Sequence, residues 1–461
     1  MDTDNNAAHP NRSIHFTSGR EDKLESSNHG TEKESLDTIR TFIRERFHQK
    51  NVYFLFGSGT SATALPTMSR LYEDVEELFP TDSDTAECNL FNEVKQSNDL
   101  EKTLGILYSL KRYQEGCQKD LNLAHLEITQ EVIHKIQKHI YKALCHPTAK
   151  DLRTDPVESA PSPSEDMTSS KEQTKYRLTL DTYKAFYQKV VYRNKDLSRV
   201  HIFTTNNDLF NEAALDELGV LYTNGFTPGL QRFFNPALFN FTYSKRMDVS
   251  IDKYEPIDNM VYLYKLHGSV NWRDLQASTS PNSSNKLFSI QEVYSNEDYP
   301  NTMEAKDVCL IYPAPTKQNL SLGSPYVDLI RLFQEKLLEH NSVLFVCGYS
   351  FSDEHINNVI YRALAVNASL NLVILNDLGN DHPLRKTKDS RVYNIWSDCS
   401  EEKSNDANQA AGKKEEKKGI NHIHFFSEVV GNLLTALDQE RSDTVSEELV
   451  KMYSAHIHSN K

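Results

Sequence analysis

Apolar residues first fall into a period near residue 36, where Leu36, Ile39, Phe42, Ile43 and Phe47 recur at spacings of three and four. That spacing predicts an amphipathic helix with one face turned to a core. It runs into Val52-Tyr53-Phe54-Leu55-Phe56, an unbroken apolar stretch suited to a parallel strand covered on both faces, which stops at Gly57-Ser58-Gly59. Upstream, residues 1–33 are rich in Asn, Ser, Asp, Glu and Lys, and the expectation there is a disordered tail. Residues 67–145 read as a helical insert, with Ile133, Ile136, Ile140 and Leu144 forming one stripe. Residues 147–174, with Pro147, Pro156, Pro161 and Pro163, lack a period and read as a flexible linker.

Beyond residue 175 strands and helices alternate. The pattern predicts helix 179–192, strand Val200 to Phe203, helix 209–218, strand Val261 to Leu266, helix 326–339, strand Val343 to Val346, helix 353–366 and strand Leu372 to Leu375. A closing strand and helix are expected within 422–437. Strands separated by helical patterns of about 10–15 residues predict an α/β fold: a Rossmann-like, doubly wound parallel sheet with a helical insertion, spanning 34–440. Residues 400–420 read as a charged surface loop and 441–461 as a C-terminal tail.

Composition narrows the class. With 461 residues and 38% hydrophobic content the chain can bury a core without staples. A formal charge of −14 argues against a general electrostatic grip on nucleic acid, and no direct nucleic-acid binding is expected. The six cysteines form no Cys-x-x-Cys pair, which fits a reducing, cytoplasmic setting. No apolar run approaches membrane-spanning length and the first residues do not read as a secretory signal, so no membrane association is expected.

In an open parallel sheet ligands bind beyond the carboxyl ends of the strands, so the residues just after each strand are the informative ones. Gly57-Ser58-Gly59-Thr60-Ser61 offers glycines, amides and hydroxyls that can hold phosphate oxygens, although a glycine turn after a strand is also an ordinary tight connection. Thr204-Thr205-Asn206-Asn207-Asp208 places five polar residues at the next strand end, where an Asx turn or helix cap would equally explain Asp208. His267-Gly268 follows the strand that ends at Leu266, and a satisfied core histidine is the plain alternative. Gly348-Tyr349-Ser350 and Asn376 follow two more strands, where they could serve as caps. His422 and His424, and likewise His456 and His458, alternate along the chain, but two imidazoles without a third ligand read as surface residues, and no metal is expected.

Taken in order, these segments resemble the sirtuin family, and more closely its divergent bacterial branch that hydrolyses NAD, over roughly residues 36–437. Gly57-Ser58-Gly59-Thr60-Ser61 looks like the family's Gly-Ala-Gly-x-Ser phosphate turn, and Thr204-Thr205-Asn206-Asn207-Asp208 is similar to its Thr-Gln-Asn-Ile-Asp segment beside the nicotinamide ribose. His267-Gly268 matches the catalytic His-Gly; Gly348-Tyr349-Ser350 resembles a Gly-Thr-Ser turn, and Asn376 the asparagine that contacts the adenosine ribose. The resemblance implies NAD as substrate, Asn206, Asp208 and His267 as catalytic residues, and Gly57, Ser58, Gly59, Thr60, Ser61, Thr204, Gly348, Tyr349, Ser350 and Asn376 as its binding residues. His267 would act as general base, Asn206 would position water and ribose, and Asp208 would hold the carboxamide side.

The departures from the family matter too. Its deacylases carry two Cys-x-x-Cys pairs for a structural zinc, absent here, and Ala64-Leu65-Pro66-Thr67 replaces their Pro-Asp-Phe-Arg segment. Water is therefore the expected acceptor, giving an NAD glycohydrolase. The resemblance further implies a gated antiphage defence effector, homo-oligomeric, with a HerA-like hexameric ATPase as partner. A non-catalytic module that senses NAD or ADP-ribose is the alternative, and a protein deacylase comes third.

Overall fold

The computed structural model describes residues 13–24, 31–116, 123–145, 167–275, 289–293, 308–310, 324–398 and 422–435, apart from positions 98, 195, 247–253 and 258. The expected linker up to residue 166, the charged loop 400–420 and the tail 441–461 lie outside the described residues. A sheet of nine strands forms the centre: β1 (Ile14–Ser18), β2 (Glu21–Asp22), β3 (Asn51–Phe56), β4 (Val200–Thr204), β5 (Leu221–Thr223), β6 (Met260–Lys265), β7 (Ser342–Cys347), β8 (Leu370–Leu375) and β9 (Val392–Ser397). Their spatial order is β2-β1-β9-β8-β7-β3-β4-β6-β5. The run from β9 to β5 is parallel throughout, while β1 pairs antiparallel with β9 and β2 with β1.

The apolar run read as β3 is buried at all six positions. Successive side chains point to opposite faces, so Val52, Phe54 and Phe56 enter one core cluster while Tyr53 and Leu55 enter the other. On the first face lie α1 (Glu32–Phe47), α6 (Met167–Val190) and α7 (Phe210–Glu217), which contribute Ile39, Ile43, Tyr183, Phe186 and Leu215. Opposite lie α8 (Tyr326–Leu337) and α9 (Glu354–Val366), through Leu329, Phe333, Ile356 and Ile360. Helix α1 starts at Thr31, which takes the Glu34 N–H while Glu34 takes the Thr31 N–H, a reciprocal cap that ties up two otherwise unpaired donors.

Among the described residues of 67–145 the helical reading resolves into four helices, α2 (Met68–Glu77), α3 (Ala86–Val94), α4 (Leu100–Gly116) and α5 (Leu123–Leu144), around a third cluster. That cluster also holds Val270, Val308 and Leu310, from a small antiparallel sheet whose strands are Arg232–Phe233, Gly268–Asp274, Ile290–Glu292 and Val308–Leu310. The insert therefore packs on the sheet that directly follows β6.

Three sequence expectations need correction. Part of the stretch read as a disordered tail is ordered: Ile14, Phe16 and Ser18 alternate as buried positions on β1, sparse apolar residues that suffice because β9 supplies a ready edge. The end of the stretch read as linker belongs to helix α6, which begins at Met167. No strand forms at 422–424; among the described residues the last strand is β9, and residues 422–424 turn into a short helix at Phe426–Glu428 followed by a π-helical turn at Val429–Leu433. Among the described residues no helix is long and apolar enough to cross a membrane.

Candidate active site

Strand register brings the informative loops together. Lys265 pairs with Thr204, Thr204 with Phe56, Phe56 with Cys347, and Cys347 with Leu375, so the last residues of β6, β4, β3, β7 and β8 form one rung across the sheet. The five segments that carry the family resemblance leave from that rung. The chain passes from β3 to β4 on one side and returns to β7 on the other, which makes the crevice between β3 and β7 the topological switch point where such sheets bind ligands.

Two loops meet at this crevice. The Gly57 N–H donates to the Cys347 carbonyl at 3.0 Å and the Gly59 N–H to the Gly348 carbonyl at 2.9 Å. A Cβ on Gly59 would stand 2.7 Å from the Gly348 Cα, and Gly348 itself has φ +62°. Glycine at both positions is explained first by the contact of one backbone with the other, and the turn is shaped by it. Two cavities open beside the loops, of about 470 and 650 Å³, sharing Ser58, Gly59, Ala62 and Ser350 as a common wall.

The smaller cavity is lined by Asn206, Asp208 and His267, with Leu71, Ile140 and Leu144 of the helical insert closing one side. The Asn206 N–H donates to Thr204 Oγ1 at 3.0 Å, and its amide Nδ2 donates to Thr60 Oγ1 at 3.0 Å and Ser61 Oγ at 3.3 Å. Both hydroxyls also meet the Tyr183 hydroxyl, at 2.7 and 3.0 Å, deep in the core. Thr60 and Ser61 thus hold Asn206 by a buried network, which leaves Oδ1 as the acceptor that can face a bound molecule. Asn207 donates to the His267 carbonyl at 2.8 Å and fixes the neighbouring turn.

Asp208 is 2% exposed, and one of its oxygens takes the Phe210 N–H at 3.1 Å. This is an Asx turn, the plain reading, while the cap residue of α7 is Leu209. Burial raises the Asp208 pKa, and the nearby Lys265 ammonium opposes that rise. Lys265 is fully buried; it pairs with Glu212 at 3.0 Å and donates to the Asp208 carbonyl. Glu212 is likewise raised by burial and drawn back by Lys265.

His267 is 5% exposed, and its Nε2 stands 3.0 Å from Nε2 of His355, the second residue of α9. One ring supplies the hydrogen and the other the lone pair, so both can be neutral while the contact is satisfied. Gly268 has φ +81° and a Cβ there would strike the Cys309 carbonyl, so the chain can turn from β6 into the small sheet only with glycine after His267. The larger cavity is lined by Gly348, Thr60 and Asn376, whose Nδ2 donates to the Tyr349 carbonyl at 2.9 Å. Tyr349 is buried, its hydroxyl bonded to Asn357 Oδ1 at 3.1 Å, and it braces the loop from below.

His355 and Tyr183 were not singled out in the sequence. His355 lies at the start of a helix on an apolar-periodic stretch; its one signal was the Asp-x-His spacing from Asp353, directly behind the Gly348 loop. His424 is not on a strand: it lines the larger cavity, and burial lowers its pKa. His456 and His458 lie outside the described residues.

Residues 200–394 match the family model described as SIR2-like domain. That match takes in Asn206, Asp208, His267, Gly348 and Asn376 and begins after the Gly57–Ser61 turn. Among solved structures, one from work on the structural basis for the mechanism and regulation of Sir2 enzymes aligns over 88% of this chain and 99% of its own, at 12% identity and a TM-score of 0.34. A Sir2 homologue mutant in complex with ADP-ribose aligns over 90% and 100%, at 11% identity and a TM-score of 0.35. No curated protein matches this chain significantly.

Proposed function

We propose that the protein is an NAD glycohydrolase that breaks the bond between nicotinamide and ribose, releasing nicotinamide and ADP-ribose. The observation that carries the reading is the shared rung: Asn206 and His267, from adjacent strands, face one cavity, while the loops that would hold a pyrophosphate separate it from a second. A dinucleotide has that shape, two ring systems joined through phosphates. The nicotinamide half belongs in the smaller cavity, and the adenosine half in the larger one beside Asn376.

Nicotinamide leaves as a neutral molecule, taking the electron pair of the C1′–N bond, and the ribose passes through a cationic transition state. Water then adds at C1′ and gives up a proton. His267 takes that proton, directly or through a ribose hydroxyl. The Asn206 Oδ1, held in place by the Thr60 and Ser61 hydroxyls, orients the water and ribose, and buried Asp208 meets the carboxamide. Leu71, Ile140 and Leu144 exclude other water.

The wider biology follows the same resemblance. A freely active NAD hydrolase would poison its own cell, so a cytoplasmic, self-associating effector of antiphage defence is expected, gated by assembly or by a HerA-like ATPase. A sensing module is the second reading, favoured by the 3.0 Å contact that satisfies His267 through His355 without any substrate. Incubating the purified chain with NAD and its assembled form separates the two. Nicotinamide release is expected; tight NAD binding with no release would establish the sensor.

A further inference from the structure

His267, Asp353 and His355 bring one ligand atom each to within 4.8 Å of one another, and the two Nε2 atoms are 3.0 Å apart. All three residues are more than nine-tenths buried, at 5%, 8% and 8% exposure. They come from different parts of the fold, His267 from the end of β6 and the other two from the start of α9. His267 and Asp353 line the smaller cavity, which gives an ion and a water molecule a way in.

We propose that His267, His355 and Asp353 form a binding site for one divalent transition ion of the zinc class. Two imidazoles and one carboxylate are a donor set that suits zinc, cobalt or nickel and suits magnesium poorly. At zinc–nitrogen distances of about 2.0–2.1 Å, two ligands at a tetrahedral angle stand about 3.3 Å apart, so the imidazoles need to part by only about 0.3 Å. Three protein ligands leave the fourth position to a cavity water, the open form of such a site. The Cys-x-x-Cys pairs missing from the sequence are unrelated to it, and the Asp353-x-His355 spacing alone does not announce it, because residues 267 and 355 meet only in the fold.

A bound ion would occupy the His267 Nε2 lone pair and take that nitrogen away from proton transfer. Binding therefore switches the hydrolase off, a consequence that rests on the proposed function, whereas the site itself does not. The test titrates the full chain with Co²⁺ and follows its visible d–d absorption, with Zn²⁺ as competitor. The expected result is one saturable site per chain with the strong bands of a four-coordinate ion, displaced by Zn²⁺. His355→Gln and Asp353→Asn should each weaken binding by more than the roughly 10–100-fold seen when only an outer partner is lost. His340→Ala, an exposed histidine elsewhere, should leave it unchanged. Thermal unfolding checks each variant, and if His355→Gln fails to fold, Asp353→Asn, which keeps size and shape, decides alone. Absence of binding to the unmodified chain, or equal binding by the folded variants, would overturn the site. Co²⁺ binding with undiminished nicotinamide release would uphold the site and remove His267 as base; Co²⁺ binding by a chain that never releases nicotinamide would uphold it and remove the hydrolase.

Discussion

At the scale of single residues, what the site needs and what the fold needs are closely joined. Gly59 shows this: its Cβ would collide with the Gly348 backbone before it met any ligand. Gly59→Val should therefore lose about 1–3 kcal/mol of stability, as forced overpacking does, together with NAD affinity. Thermal unfolding and calorimetric titration check both, and a variant of unchanged stability would mean that the two loops are not pressed together. Lys265 is a second case. With its ammonium between Glu212 and the Asp208 carbonyl, Lys265→Met strands a buried carboxylate and should cost about 3–5 kcal/mol in denaturant unfolding. Neither dependence was legible in the sequence. Lys265 lies within the run expected as strand Val261 to Leu266, and its partner Glu212 lies on the helix expected at 209–218, with nothing in the chain order to pair them. His355 was hidden in the same way, by a tertiary contact spanning 88 residues.

At the scale of elements, the legible features were those with local causes. The apolar runs of β3, β4, β6, β7 and β8 announced themselves because strands covered on both faces have no polar side to break the pattern. Strand β9 did not, since its burial alternates and Tyr393 and Trp396 are only half-buried. Strand β1 was lost in a polar stretch because its order comes from β9 rather than from its own composition. Removing residues 13–24 should expose the β9 edge, lower the melting temperature and promote association. Nicotinamide release per folded molecule should persist, since Asn206 and His267 follow β4 and β6, five and six strands from β1. Calorimetry and light scattering measure the first two, and an unaltered melting temperature would mean that β1 contributes nothing to the sheet.

Across the whole molecule, the order of motifs in the chain becomes a single row in space. Gly57, Asn206, His267, Gly348 and Asn376 follow one another over more than 300 residues, and the parallel register sets them along one edge of the sheet. The helical insert, which the sequence left without a role, walls the smaller cavity through Leu71, Ile140 and Leu144. If the assembled particle is the gated form, light scattering should find self-association; a monomer at all concentrations with full turnover would contradict gating by assembly. On the proposed function, NAD is cleaved in the cavity that Asn206 and His267 both line. Nicotinamide release by the unmodified chain, His267→Ala and Asn206→Ala, compared under conditions where all three are folded by thermal unfolding, tests it most directly. Release by the unmodified chain and a loss of about a hundredfold or more in each variant are expected; near-normal turnover by folded His267→Ala would overturn the proposed mechanism.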